Sequence, residues 1–221
     1  MDTPHPPSCP HWLRQILPRL AHNPTEWFRQ HPPPSSPRRR SAVLMLFGPD
    51  GDGGLDVVLT ERAHTLNSHA AQVVFPGGHR DPGDPTSTAA ALREANEEVG
   101  LDPSTVEVLG ELPPLYMTPT GNAVTPVLGW WHSPHQIQVM DEAEVARVTR
   151  APLKLVTDPT NRFSVRAPGG YRGPGFDVHD MFVWGFTATL LSEVLELGGV
   201  DRPWNQDIER ALPWRLLAPY L

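Results

Sequence analysis

A short apolar run, Val73-Val74-Phe75, stops at Pro76-Gly77-Gly78, and after a brief polar loop the stretch Ser87 to Val99 reads as a helix. Thr86 or Ser87 supplies its N-cap, and Gly100 ends it. Strand, glycine turn, loop and helix therefore follow one another in the chain. Within the helix Glu94, Glu97 and Glu98 stand at i, i+3 and i+4, which puts three carboxylates on one face within a turn of each other. Their mutual repulsion needs a counter-charge. Hard divalent cations prefer several oxygen ligands, so Mg²⁺ or Mn²⁺ suits such a trio. Taken alone, a glutamate-rich helix face is more often solvated surface.

Upstream, Ala42 to Phe47 reads as a buried strand, Gly48 to Gly54 as a turn and Leu55 to Thr60 as a second strand. Downstream, Val106 to Leu112 and Val124 to Trp131 read as strands, followed by a loop, the acidic patch Asp141-Glu142-Ala143-Glu144 and the stretch Ala146 to Val156. A Gly/Pro-rich insertion is expected around Pro168 to Gly175, and an apolar run from Met181 continues as a helix to about Leu197. Before the core, Trp12, Ile16, Leu17 and Leu20 have helical spacing interrupted by Pro18, which predicts a short helix kinked at that proline. Pro32 to Pro37 reads as an extended linker. The expected division is an N-terminal extension and linker over 1–40 and a catalytic domain over 41–221.

Six of the 18 basic side chains but only two of the 25 acidic ones fall in residues 1–40, so the rest of the chain is strongly acidic. Such a body repels a phosphate backbone, which excludes nucleic acid as the expected partner. It also means that action on a polyphosphate requires cations between enzyme and substrate. Cys9 is the one cysteine, so no internal disulfide can form. The most apolar stretch, Met181 to Leu191, is shorter than the roughly 20 residues a membrane helix needs, and the expectation is a cytoplasmic protein with no membrane span.

Gly78, five residues, Asp84, eight residues, then Arg93-Glu94-Ala95-Asn96-Glu97-Glu98-Val99-Gly100-Leu101 resembles the Nudix box. The usual box has Glu at the position of Asp84 and one residue fewer before the arginine. Both departures resemble the coenzyme A pyrophosphatases, a subfamily also suggested by Leu59-Thr60-Glu61-Arg62-Ala63, Leu66, His69, Gln72 and Phe75 to Gly78. That signature usually has Arg where this chain has Asn67 and Gly where it has Ala71. Thr125-Pro126-Val127, Glu144-Val145-Ala146 with Pro152-Leu153, and Trp184 to Ala188 extend the likeness over about residues 41–200.

The resemblance implies an α/β fold, the Nudix α/β/α sandwich with a mixed β-sheet between helices, carrying the N-terminal helical and proline-rich extension. It also implies that Glu94, Glu97 and Glu98 bind one or more Mg²⁺ or Mn²⁺ ions, with the carbonyl of Gly78 as a further ligand. Glu94 or Glu98 would act as general base, and Glu142 and Glu144 are the downstream alternatives, Glu144 first because it matches the subfamily's Glu-Val pair. Arg93 would fix the glutamates, Gly77 and Gly78 would allow close backbone approach, and Gly100 would stop the helix. Arg62 and His69 are the substrate-binding candidates, although a histidine beside a glycine turn is more often structural. Trp130, Trp131 and Trp184 offer stacking surfaces but more often fill cores. Arg38 to Arg40 offer a cationic cluster for a 3′-phosphate, but three solvated arginines at a linker end is the plainer reading.

The expected reaction is hydrolysis of coenzyme A or an acyl derivative to 3′,5′-ADP and 4′-phosphopantetheine. One alternative changes the substrate to ADP-ribose, NADH or a dinucleoside polyphosphate. Another, from a different class, is a nucleotide-binding module without catalysis, disfavoured because it has no need of the full glutamate trio. The partner is a small-molecule nucleotide, and the resemblance leaves room for a homodimer.

Overall fold

A computed structural model describes residues 8–66, 70–118 and 120–217. Three short helices come first, α1 (His11–Arg14), α2 (Ile16–His22) and α3 (Glu26–Gln30). The main sheet contains β1 (Arg39–Pro49), β2 (Leu55–Arg62), β3 (Val73–Val74), β4 (Gly77–His79), β5 (Val106–Glu111), β6 (Leu115–Met117), β7 (Asn122–Trp131) and β8 (Val145–Pro152), with α4 (Ser87–Val99) between β4 and β5. Its central order is β3-β2-β1-β7-β5; β4 pairs with β1, β6 with β7 and β8 with β2. β1 and β7 run parallel and the other pairs antiparallel, so the sheet is mixed.

The alternation along β1 builds the layers. Leu44 and Leu46 bury against Ala91, Ala95 and Val99 of α4, while Met45 and Phe47 join the cluster on the opposite face. That second face is covered by α1, α2 and α6 (Gly185–Gly198), giving helix, sheet and helix in three layers. Leu13, Ile16, Leu20 and Phe28 are buried in the same cluster as Phe47, so residues 11–30 supply part of this layer. Trp12 meets Phe47 edge-on at 5.8 Å, and the Arg19 guanidinium donates to the Leu197 carbonyl at the end of α6. The break expected at Pro18 occurs instead at Gln15. Pro18 sits in the first turn of α2, where a missing N–H costs nothing.

After β8 come α5 (Leu153–Val156) and a second sheet that the sequence did not announce. Its strands are β9 (Arg162–Ala167), β10 (Tyr171–Val178), β11 (Met181–Val183) and β12 (Glu209–Ala211), in the order β11-β10-β9-β12; α7 (Trp214–Leu217) follows. The expected Gly/Pro-rich insertion is therefore the turn and second strand of a hairpin. Gly175 serves this strand because a Cβ there would run into Phe163 and Val165 on β9. Likewise the helix expected from Met181 begins only at Gly185, because Met181 to Val183 pair with β10.

Candidate active site

Thr86 caps α4 by accepting the Ala89 N–H at 3.0 Å, and Gly100 closes it in the left-handed conformation at φ 70°. A β-carbon at Gly100 would press on Met140, so the same glycine lets the loop after β7 lie against the helix end.

On the helix the carboxylates divide. Arg93 gathers its neighbours, donating from Nε and Nη2 to the two Asp84 oxygens at 3.2 and 3.0 Å, from Nη1 to Glu97 at 2.8 Å, and from Nη2 to Glu94 at 3.0 Å. Nη2 also reaches the His79 carbonyl at 2.9 Å, which ties helix, loop and glycine turn together. Asp84, which the sequence marked only as a departure from the usual box, is the arginine's principal partner and its carboxyl is held below the usual range by that contact. Nothing in the spacing alone announces the pair; the two groups meet because the loop folds back over the helix.

Glu98 points the other way, into the protein. It is 2% exposed, and its Oε2 accepts the Gly77 N–H at 3.0 Å. Burial pushes its carboxyl up to about 7 against the Gly77 N–H and the Arg62 charge, while Glu94 and Glu144 push the same way as burial. Burial also raises Glu94, opposed by Arg93 and assisted by Glu97 and Glu144. The glycines are required by packing. At Gly77 (φ +150°) a Cβ would fall on the Ala42 carbonyl and Val43, and at Gly78 it would fall on the Glu94 carboxylate.

Glu144 arrives from outside the helix. Met140 N–H donates to the Glu98 carbonyl at 2.9 Å and Ala63 N–H to the Glu144 carbonyl at 2.8 Å, so the 140–144 segment is pinned between α4 and the end of β2. Its side chain is exposed yet lies within the fields of Glu94 and Glu98. Arg62, at the end of β2, supplies positive charge to Glu98, and its Nε is buried without a hydrogen-bond partner.

Among the described residues no three His, Cys, Asp or Glu side chains already stand as a ready metal-ligand set, and Glu97 is held by Arg93 with its side chain 56% exposed. The donor chemistry nonetheless suits a hard cation: carboxylate oxygens from Glu94, Glu98 and Glu144 lie within one another's fields beside a turn where only glycine fits, and burial raises Glu94 and Glu98, a cost that a cation would offset. His69 and Asn67 lie outside the described residues. Arg38, Arg39 and Arg40 are exposed at the start of β1, where the Arg40 carbonyl accepts the Arg80 N–H next to β4. Trp130 and Trp131 are core residues at 1% and 0% exposure, and Trp184 packs edge-on against Tyr171.

A carboxylate-bearing helix is thus laid behind a glycine turn of a mixed sheet. Residues 37–164 match the NUDIX domain family, and the chain belongs to the Nudix family. It is 39% identical over 165 residues to a Cronobacter sakazakii protein named Uncharacterized Nudix hydrolase NudL, covering 73% of this chain and 84% of that one. It is 33% identical over 165 residues to Nudix hydrolase 15, mitochondrial, of Arabidopsis thaliana, covering 70% of this chain and 56% of that one. The fold matches a Nudix hydrolase from M. smegmatis, RenU, with a TM-score of 0.53 at 20% identity, over 76% of this chain and 91% of that one. The chain is thus a Nudix hydrolase, a class that acts on small nucleotide substrates of the nucleoside diphosphate-X type and generally uses divalent cations. Among the described residues no helix is long and apolar enough to cross a membrane.

Proposed function

We propose that this hydrolase cleaves the phosphoanhydride of coenzyme A or an acyl derivative, giving 3′,5′-ADP and (acyl-)4′-phosphopantetheine, with Mg²⁺ or Mn²⁺. The observation that carries the hydrolytic reading is the buried Glu98 carboxylate on the Gly77 N–H, with Glu94 and Glu144 within its field. Glu94, Glu98 and the Gly78 carbonyl would hold the cation, and Glu97, turned outward onto Arg93, would reach it through a bound water. The chemistry supplied by a divalent ion there would be neutralisation of diphosphate charge and activation of water.

The chain's own groups supply the rest. Arg93 keeps Glu94 and Glu97 oriented through charge-assisted hydrogen bonds. A carboxylate takes the proton of the attacking water, and Glu144 is the first choice because it is exposed to solvent yet tied by its backbone to β2. Arg62 is a cation for the substrate's phosphates, standing at the end of β2 where its charge already acts on Glu98.

The coenzyme A assignment rests on the likeness of Leu59 to Gly78 to the pyrophosphatase signature. Asn67 and Ala71, which depart from it, favour a second reading in which ADP-ribose, NADH or a dinucleoside polyphosphate is cleaved instead. A substrate panel with Mg²⁺ and Mn²⁺, products identified by mass, separates them. Coenzyme A should give the highest kcat/KM with 3′,5′-ADP as product; faster cleavage of ADP-ribose or NADH overturns the assignment.

A further inference from the structure

His135 lies on the loop between β7 and β8, outside the group of residues placed in the site above. Its Nε2 lies 3.0 Å from the Asp102 amide nitrogen, which can only donate, and its Nδ1 lies 3.0 Å from the Gln136 carbonyl, which can only accept. The imidazole is therefore neutral, with its proton on Nδ1 and the Nε2 lone pair spent on a backbone N–H. The ring is half-buried and stands edge-on to Trp131 at 5.3 Å. Asp102 is itself fixed: its carboxylate accepts the Ser104 N–H at 2.9 Å and its carbonyl the Thr105 N–H at 3.0 Å, while the Thr105 hydroxyl accepts the Trp131 indole N–H at 3.0 Å. The other charged group on this side is Arg150, which lies over the Trp131 ring and is paired with Asp56.

This contact is the first of three that fasten the loop to the end of α4. The Gln138 N–H donates to the Val99 carbonyl at 3.2 Å and the Met140 N–H to the Glu98 carbonyl at 2.9 Å, so the loop supplies donors to carbonyls that the last helical turn leaves without partners. Met140 leads into a tight turn closed by Asp141, whose carboxylate accepts the Ala143 N–H at 2.9 Å and whose carbonyl accepts the N–H groups of Glu144 and Val145 at 3.2 and 2.9 Å. The turn delivers Glu144. Ile137 packs on the α4 side of the sheet, so the loop keeps its place without His135. What the His135 contact fixes is the register of the loop along the helix end.

We propose that His135 is a positioning residue for the hydrolysis: by accepting the Asp102 N–H it anchors the loop that carries Glu144 and holds that carboxylate in register with Glu98. The role rests on the reading of Glu144 as the proton acceptor. Two substitutions separate register from packing. His135→Phe keeps a ring against Trp131 but leaves the Asp102 N–H without an acceptor, whereas His135→Gln gives up the ring but carries an amide oxygen at about the reach of Nε2.

The test uses the full chain and the best substrate of the nucleotide panel, and it reads steady-state kinetics together with amide hydrogen exchange. His135→Phe should lower kcat about tenfold with KM little changed and speed exchange at Gln138 and Met140 about tenfold, while exchange in β1 stays as in the wild type. His135→Gln should keep kcat within about twofold of the wild type. In a Glu144→Gln background, His135→Phe should cost nothing further, because a group that acts through Glu144 then has nothing to place. Equal losses in His135→Phe and His135→Gln would reduce the residue to packing against Trp131 and overturn the proposal. A tenfold loss that persists in the Glu144→Gln background overturns it as well. So does a normal kcat in His135→Phe beside an impaired Glu144→Gln, a result that leaves the proton-acceptor reading intact. Normal kcat in Glu144→Gln overturns that reading and the positioning role with it.

Discussion

The Glu98 carboxylate accepts the Gly77 N–H at 3.0 Å, so one hydrogen bond joins the last turn of α4 to the glycine turn before it. Glutamine can keep that acceptor while removing the charge. Glu98→Gln should therefore lower kcat by at least about a hundredfold with the fold retained. Because burial already disfavours the Glu98 charge, the variant without metal should melt no lower than wild type at pH 8. Calorimetry in chelator and a steady-state assay check the two halves; a loss of activity matched by unfolding would reduce the residue to a structural one.

The two glycines of that turn should separate on mutation. At Gly77 a Cβ meets backbone, and φ +150° is strained for any other residue, so Gly77→Ala should cost about 2–3 kcal/mol of stability. At Gly78 the obstacle is the Glu94 carboxylate, the movable end of a side chain. Gly78→Ala should melt near wild type but weaken divalent-cation affinity about ten- to a hundredfold, because Glu94 must turn away. Denaturant melts and metal titration distinguish the pair, and equal stability losses would contradict the assignment.

What the chain revealed by itself was local. Ser87 to Val99, its Thr86 cap and its Gly100 stop could be read because capping and the left-handed stop are set by neighbouring residues. Ala42 to Phe47 could be read as a buried strand because a strand covered on both faces is apolar throughout. Long-range pairings were not readable. The second sheet was hidden because Gly173-Pro174-Gly175 looks like a loop until Phe163 and Val165 are seen to need the room. The helical spacing marked Glu97 as equal to Glu94 and Glu98, whereas Arg93, itself placed by Asp84, pulls it toward solvent.

Asp56 gives a pH dependence far from the glutamates. Its side chain is 4% exposed beside Arg150 at 2.8 Å, and burial outweighs that partner, raising its carboxyl from 3.8 to about 6. Between those values the folded chain holds a proton that the unfolded chain has released, so stability falls as pH rises through this window. The contribution is present below about pH 4 and lost by pH 7, an effect of order 3 kcal/mol. Melts of wild type and Asp56→Asn across pH 4 to 7 should differ in slope in that direction; parallel curves would show that Asp56 ionises normally.

Glu144 offers the sharpest test of the proton acceptor, because its position is set by backbone while its carboxylate is free to act. The Ala63 N–H fixes its carbonyl at 2.8 Å and Val145 beside it is buried, so Glu144→Gln should leave the segment in place. If the carboxylate takes the proton of the attacking water, its loss is felt in the transition state, and kcat should fall about a hundredfold with little change in KM. Glu142→Gln, on the exposed turn two residues earlier, is the control. Normal kcat in Glu144→Gln with a large loss in Glu142→Gln would transfer the role to the neighbour, and normal kcat in both would return it to Glu94 or Glu98 on the helix.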